Sequence, residues 1–204
     1  MTTVTTTPVT TTPVTTSPVT TTTTTSPPSV LLATSLPTPA GRLGVVLEAD
    51  GTVRAAGFGE LEGVLARLLL TDGSLEVRVV QPTDLADQPG ASATVAAVER
   101  YSAGEAGALD MVPVRQPGGI FFQEVWRLMR QVHPGDTVSY AALAAAAGRP
   151  AAVRATGTAC ARNLVAPFVP CHRVVRTDGT LGGYAYGLDA KRALLAHERA
   201  STRE

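Results

Sequence analysis

Between Pro134 and Asn163 the sequence leaves room for little besides two short helices and a tight turn. Pro134-Gly135-Asp136 ends any helix that precedes it. Ser139 can cap a helix over Tyr140 to Ala147, and Gly148 supplies its stop. Pro150 is predicted to open a second helix at its first position, running to about Ala161. Two helices joined by a Gly-containing turn make a helix-turn-helix, whose second helix reads DNA. Alanine-rich helical pairs also occur in bundles, so the pattern does not select DNA by itself. The second helix carries Ala151, Ala152, Ala155, Gly157, Thr158, Ala159 and Cys160, all small, around one long charged residue, Arg154. Such a surface serves close helix packing with Arg154 in solvent, or close approach to a duplex with Arg154 reaching between bases.

The remaining sequence falls into three parts. Residues 1–29 hold no charged or aromatic residue and repeat Thr-Thr-Pro-Val-Thr through Pro8, Pro13 and Pro18. They offer too little apolar surface to offset the entropy of ordering them and are predicted to be a disordered tail. A Thr/Pro tract also suits a glycosylated stalk, but this one lacks the basic start and apolar stretch of an export signal. Residues 40–116 read as a small α/β unit. Its predicted elements are strands over Leu43 to Glu48 and Thr52 to Phe58 about an Ala49-Asp50-Gly51 turn, a helix over Leu61 to Leu70, a strand over Leu75 to Val80 and a helix over Ala93 to Ala103. That unit has no His and no Cys. Pro117-Gly118-Gly119 marks a boundary, after which residues 117–204 turn mostly helical. Phe121, Val125, Leu128, Met129 and Val132 share a helical face there, and Trp126, off that stripe, is expected to pack on the first unit.

The formal net charge is zero, but it is unevenly distributed. Residues 30–116 carry 6 basic and 11 acidic side chains, and residues 117–204 carry 11 basic and 6 acidic. A basic second half suits an approach to phosphates. Two cysteines make no disulfide scaffold and fit a reducing cytosol, and no apolar run is long enough to cross a bilayer.

Just past the second helix, Arg162-Asn163 is followed by Pro170-Cys171-His172-Arg173-Val174-Val175. This places a thiol beside an imidazole directly after a DNA-reading element. Together with Val138-Ser139-Tyr140, Gly182-Gly183-Tyr184 and Ala196-His197-Glu198, these runs resemble the O6-alkylguanine-DNA alkyltransferases, over about residues 40–204 and most strongly over 117–198. The resemblance implies an α+β fold: a ribonuclease H-like first domain without a nuclease site, then a winged helix-turn-helix-like domain that carries the acceptor. It implies a cytoplasmic monomer that uses no cofactor. The partner is double-stranded DNA containing O6-alkylguanine, entered from the minor groove, with no membrane involved.

By the same resemblance, Cys171 takes the alkyl group and keeps it. A free cysteine, with a pKa of about 8.5, is mostly protonated at neutral pH, so a base is useful. His172 corresponds to the family's base acting through a water, and Glu198 to the group that orients it. Neighbouring side chains on an extended segment point apart, which favours the water bridge. Asn163 matches the hinge asparagine, Arg154 the residue that fills the stack of a flipped base, and Tyr140 the tyrosine that helps expel guanine. Ala155 and Gly157 belong to the groove-facing surface. Tyr184 matches the wall over which the base lies, the Val174 carbonyl an acceptor for its amino group, and Ala185 an amide facing the substrate oxygen. Three departures stand out. Leu164 replaces the usual proline after Arg-Asn. Tyr186 stands where some members have glycine, and is expected to narrow the pocket and disfavour O6-benzylguanine. The Cys and His ligands that hold metal in some relatives are absent, so no metal site is expected. Arg173 and Arg176 read as phosphate contacts or surface charges. The alternatives are an inert alkyltransferase-like lesion-binding protein, which would lack the cysteine, a transcriptional regulator, and a cysteine hydrolase, which needs an oxyanion hole.

Overall fold

Leu43, Val45 and Leu47 are buried on one side of their strand while Val46 is buried on the other, so this strand is covered on both faces. It is β2, Gly41–Leu47, and it pairs antiparallel with β1, Leu31–Thr38, and with β3, Val53–Phe58. A short β4, Val77–Val79, joins β1 in parallel and completes the order β3-β2-β1-β4. The computed structural model describes residues 30–71, 73, 75–85 and 88–202. The Thr/Pro tract read as disordered lies outside them.

Helix α1, Leu61–Leu69, lays Val64 and Leu68 on one face of the sheet. Helix α2, Pro89–Ser102, covers the other with Val95, Val98 and Tyr101. It starts four residues before the predicted helix, with Pro89 at its first turn, where a missing N–H costs nothing. Strand β1 is legible only in retrospect. Pro37 and its Thr neighbours resemble the tail, yet β4 pairs only with Leu31 to Ala33, so Pro37 falls beside an open edge that tolerates it.

The outer edge of β3 receives first the end of its own unit and then the second half. Val53 donates to the Pro113 carbonyl at 2.9 Å and accepts from the Arg115 amide at 2.8 Å. Further along, the Ala56 amide donates to the Leu164 carbonyl at 2.7 Å. One apolar core then runs from the sheet through Val125, Met129, Leu143, Phe168 and Leu194.

Helix α3, Ile120–Met129, carries Trp126, whose indole donates to the Ala159 carbonyl at 2.9 Å. Trp126 therefore ties α3 to the segment that holds Ala159, while its ring also lines clefts with Val114, Gln116 and Arg67 of the first unit. A two-residue β5, Val138–Ser139, leads into α4, Tyr140–Ala146, where the Ser139 hydroxyl accepts from the Ala142 amide as expected of a cap. Gly148, at φ 71°, closes α4: its amide bonds Ala145 and the Arg149 amide bonds Ala144, the paired bonds of a left-handed glycine stop. The second helix, α5, is Val153–Ala161 and not one that opens at Pro150. The Ala152 amide bonds the Arg149 carbonyl, so Pro150 sits inside the connecting turn. After α5 the chain forms a single 3-10 turn at Cys171–Arg173, a short β6, Val174–Val175, parallel to β5, and the last helix α6, Leu188–Ser201.

Candidate active site

The 3-10 turn, not an extended segment, presents Cys171 and His172. All three of its residues are buried, Cys171 at 5% exposed and His172 completely. The cysteine sulfur accepts from the Asn163 side-chain amide at 3.2 Å. That amide is satisfied at every position. Its NH2 also donates to the Val169 carbonyl at 2.8 Å, and its oxygen accepts from Gln116 Nε2 at 3.1 Å and from the Val165 amide at 3.2 Å.

Glu198 on α6 gathers the charged groups. His172 Nε2 lies 2.8 Å from Oε1. Arg173 grips both carboxylate oxygens, Nε to Oε2 at 3.0 Å and Nη2 to Oε1 at 2.9 Å. Tyr101, from α2, donates its hydroxyl to Oε1 at 3.2 Å. Burial pushes the Glu198 carboxyl up, but the bonds and charges of His172 and Arg173 outweigh it and hold the group at about 2. An ionised carboxylate only accepts, so His172 Nε2 carries the proton and Nδ1 is the basic nitrogen. Nδ1 is buried without a hydrogen-bond partner among the described residues. Burial holds the His172 pKa below its ordinary value despite Glu198, which makes the resting ring neutral. Burial also pushes the Cys171 thiol up, against the pull of the Asn163 donor and the Lys191 charge. Resting thiol and imidazole are therefore both neutral, and ionisation of the sulfur requires a base at the moment of reaction.

The depressed Glu198 pKa makes a prediction. The stabilisation it contributes is complete above about pH 4.5 and is lost as pH falls toward about 2. Urea midpoints across that window should fall more steeply for the parent protein than for Glu198→Gln.

A cavity of about 390 Å³ opens beside the sulfur, lined by Cys171, Tyr140, Gly157, Cys160, Tyr184 and Ala185, among others. It brings together residues from α4, α5, the cysteine turn and the loop before α6. Arg154 and Ala155 lie on the same helix as Gly157, and Arg154 is exposed. The Tyr184 ring meets His172 edge-on at 6.5 Å.

Three sequence expectations need correction. Tyr186 does not line this cavity. Its hydroxyl donates to the Ala56 carbonyl at 3.1 Å and accepts from Arg67, whose guanidinium stands 5.3 Å from the ring centre. Gly57 permits this docking, because a Cβ there would fall 2.3 Å from the hydroxyl oxygen. The expected narrowing against O6-benzylguanine loses its basis. Val174 is fully buried and is not among the residues lining this cavity, and its carbonyl accepts from Lys191 Nζ at 2.6 Å. Arg173 is neither a surface charge nor a phosphate contact; it is the buried partner of Glu198.

Sequence reasoning also passed over residues that complete the site. Lys191, fully buried, reaches the Val174 and Leu181 carbonyls and the Gly183 carbonyl at 3.4 Å, which ties down the loop bearing Tyr184. Its place on the helix that also bears Glu198 was the available signal. Tyr101, Arg67 and Gln116 lie in the half that shows no catalytic pattern of its own, and only tertiary structure brings them here.

Residues 120–200 match the family described as "6-O-methylguanine DNA methyltransferase, DNA binding domain". The chain is 33% identical over 172 residues to the methylated-DNA–protein-cysteine methyltransferase of Shigella flexneri, covering 82% of this chain and 95% of that one. It is 51% identical over 87 residues to the bifunctional transcriptional activator/DNA repair enzyme Ada of Escherichia coli, of whose length it spans 25%. Among solved structures, the O6-methylguanine methyltransferase of Mycobacterium tuberculosis superimposes with a TM-score of 0.63 at 26% identity, covering 84% of this chain and 94% of that one. The same organism's protein in complex with DNA gives 0.65 at 27% identity, over 83% and 94% of the two chains. Relatedness along nearly the whole length of the Shigella protein, joined to a mixed α+β fold shared with these structures, makes the chain a member of the methylated-DNA–protein-cysteine methyltransferase family.

Proposed function

We propose that this protein repairs DNA by moving one alkyl group from O6-alkylguanine in a duplex onto Cys171, once per molecule. The observation that carries this reading is the placement of the Cys171 sulfur at the wall of the cavity beneath α5, with the His172–Glu198 pair behind it. Sulfur attacks the alkyl carbon, an S–C bond forms, the C–O6 bond breaks, and the departing guanine takes a proton. His172 Nδ1 accepts the thiol proton through a water, and Glu198 stabilises the resulting imidazolium. The balance needs no electron carrier. A thioether is not hydrolysed, so the protein is spent after one transfer.

The substrate base reaches the cavity by leaving the stack, at a cost of a few kcal/mol that is least for a damaged pair. Arg154 fills the gap, while Ala155 and Gly157 let α5 lie in the narrow minor groove. Tyr140 hydrogen bonds the base to help guanine depart, Tyr184 supplies a ring against it, and the Ala185 amide faces O6. The same reading takes the first half, residues 40–116 together with β1 ahead of them, as ribonuclease H-like, supported by three antiparallel strands with a fourth parallel to the first. Residues 117–204 are then a winged helix-turn-helix-like domain, in a protein that acts as a monomer in the cytoplasm.

Two results test this. With lesion in excess, methyl incorporation should plateau at one per molecule; continued turnover points to a hydrolase. Arg154→Ala should slow transfer from duplex by about tenfold or more and leave transfer from free O6-methylguanine nearly unchanged. Equal slowing on both substrates contradicts the flipping role.

A further inference from the structure

The hinge between α5 and the cysteine turn takes its hydrogen bonds from the other half of the molecule. Arg67 on α1 donates to the Asn163 carbonyl at 3.1 Å and the Ala161 carbonyl at 3.3 Å. The Ala56 amide on β3 donates to the Leu164 carbonyl at 2.7 Å. Gln116, from the linker before α3 and only 7% exposed, makes the remaining two: its Oε1 accepts from the Leu164 amide at 2.7 Å, and its Nε2 donates to Asn163 Oδ1 at 3.1 Å. The pair is directional. An amide oxygen on Leu164 N–H leaves an amide NH2 for Asn163 Oδ1, and Asn163 then has its own NH2 for the sulfur.

We propose that Gln116 is a positioning residue for Cys171, joining the Leu164 amide to the Asn163 side chain and so holding the hydrogen bond that Asn163 gives the reactive sulfur. The inference rests on the alkyl-transfer reading and assigns the linker a part in it. Leu164 explains why a glutamine is needed. A proline in this place has no N–H to satisfy. Leucine brings a buried donor that must be paired, and Gln116 pairs it while reaching the hinge asparagine. Removing the Gln116 side chain strands that amide and loosens Asn163, although Val165 and Val169 still hold the amide's orientation. The sulfur's anion then loses part of its donor, so its ionisation moves to higher pH.

The test uses the full chain and two readouts. Methyl transfer from an O6-methylguanine duplex is timed, and peptide-resolved labelling of Cys171 with iodoacetamide is followed against pH, without DNA. Gln116→Met should slow transfer by about tenfold and move the labelling midpoint upward. In a Leu164→Pro background, which removes the N–H, the same substitution should cost at most about threefold. Equal cost in both backgrounds, or a variant with parental rate and midpoint, overturns the proposal. Gln116→Glu keeps the acceptor for Leu164 and lacks the donor for Asn163, and should reproduce the midpoint shift. If neither variant folds, the Gln116 side-chain amide protons of the unaltered protein decide: slow exchange with solvent is expected of the donor to Asn163 Oδ1, and free exchange overturns the proposal. Failure of the parent protein to methylate Cys171 would instead sink the functional reading, leaving the labelling result to stand on its own.

Discussion

Replacing Cys171 with serine should reduce methyl transfer to background while lesion-containing duplex is still bound. The substitution changes one atom at the cavity wall and leaves Tyr140, Tyr184 and the exposed face of α5 as they are. A hydroxyl is far harder to ionise than a thiol and is a poorer nucleophile toward an alkyl carbon. Cys160 cannot stand in. It lines the same cavity, but burial holds its pKa far above the ordinary thiol value, and the Asn163 donor and the His172–Glu198 pair serve the cysteine turn instead. Transfer in a gel-resolved duplex assay, with binding followed separately by anisotropy, checks this. A methyl group found on Cys160 in the variant would mean that the cavity, not the residue, selects the acceptor.

Glu198→Ala should be the most damaging substitution to both stability and rate. It leaves the Arg173 guanidinium, 2% exposed, without its counter-charge, and strips partners from His172 Nε2 and the Tyr101 hydroxyl. Breaking a buried ion pair by removing one member costs about 3–5 kcal/mol, which for a domain of this size lowers the melting temperature by about 10 °C. Transfer should fall by about a hundredfold, because the base loses the acceptor that fixes its tautomer and stabilises its charged form. Glu198→Gln keeps the volume and should recover part of the stability but little of the rate. Parental transfer by either folded variant would remove Glu198 from the relay.

These effects converge on a network that was only half visible in the sequence. Cys171, His172, Asn163 and Glu198 stood out because they occur in short runs whose chemistry makes sense together. The helix pair α4 and α5 was legible from Ser139 and Gly148, since local caps and stops act through nearby backbone, but the start of α5 was not, because Pro150 sits in the turn. Arg173 was misread because its partner lies on α6, and sequence alone gives no cue that a charge in a basic half is buried. Tyr186 was misplaced for a related reason. Its neighbours Tyr184 and Ala185 line the cavity, but the ring turns to the space that Gly57 leaves on β3. Tyr101, Arg67 and Gln116 reach the site only across the joint between the halves, so no periodicity or motif in their own segments marks them. Strand β1 was hidden by composition, because Thr34, Pro37 and Thr38 within it resemble the tract before it.

The most direct test is the mass of the Cys171 peptide after the purified protein meets a duplex bearing a single O6-methylguanine. The account predicts a gain of one methyl group on that cysteine, matched by restored guanine in the duplex. An unmodified Cys171 peptide beside a repaired duplex, or a tightly bound duplex with its lesion intact, would contradict it.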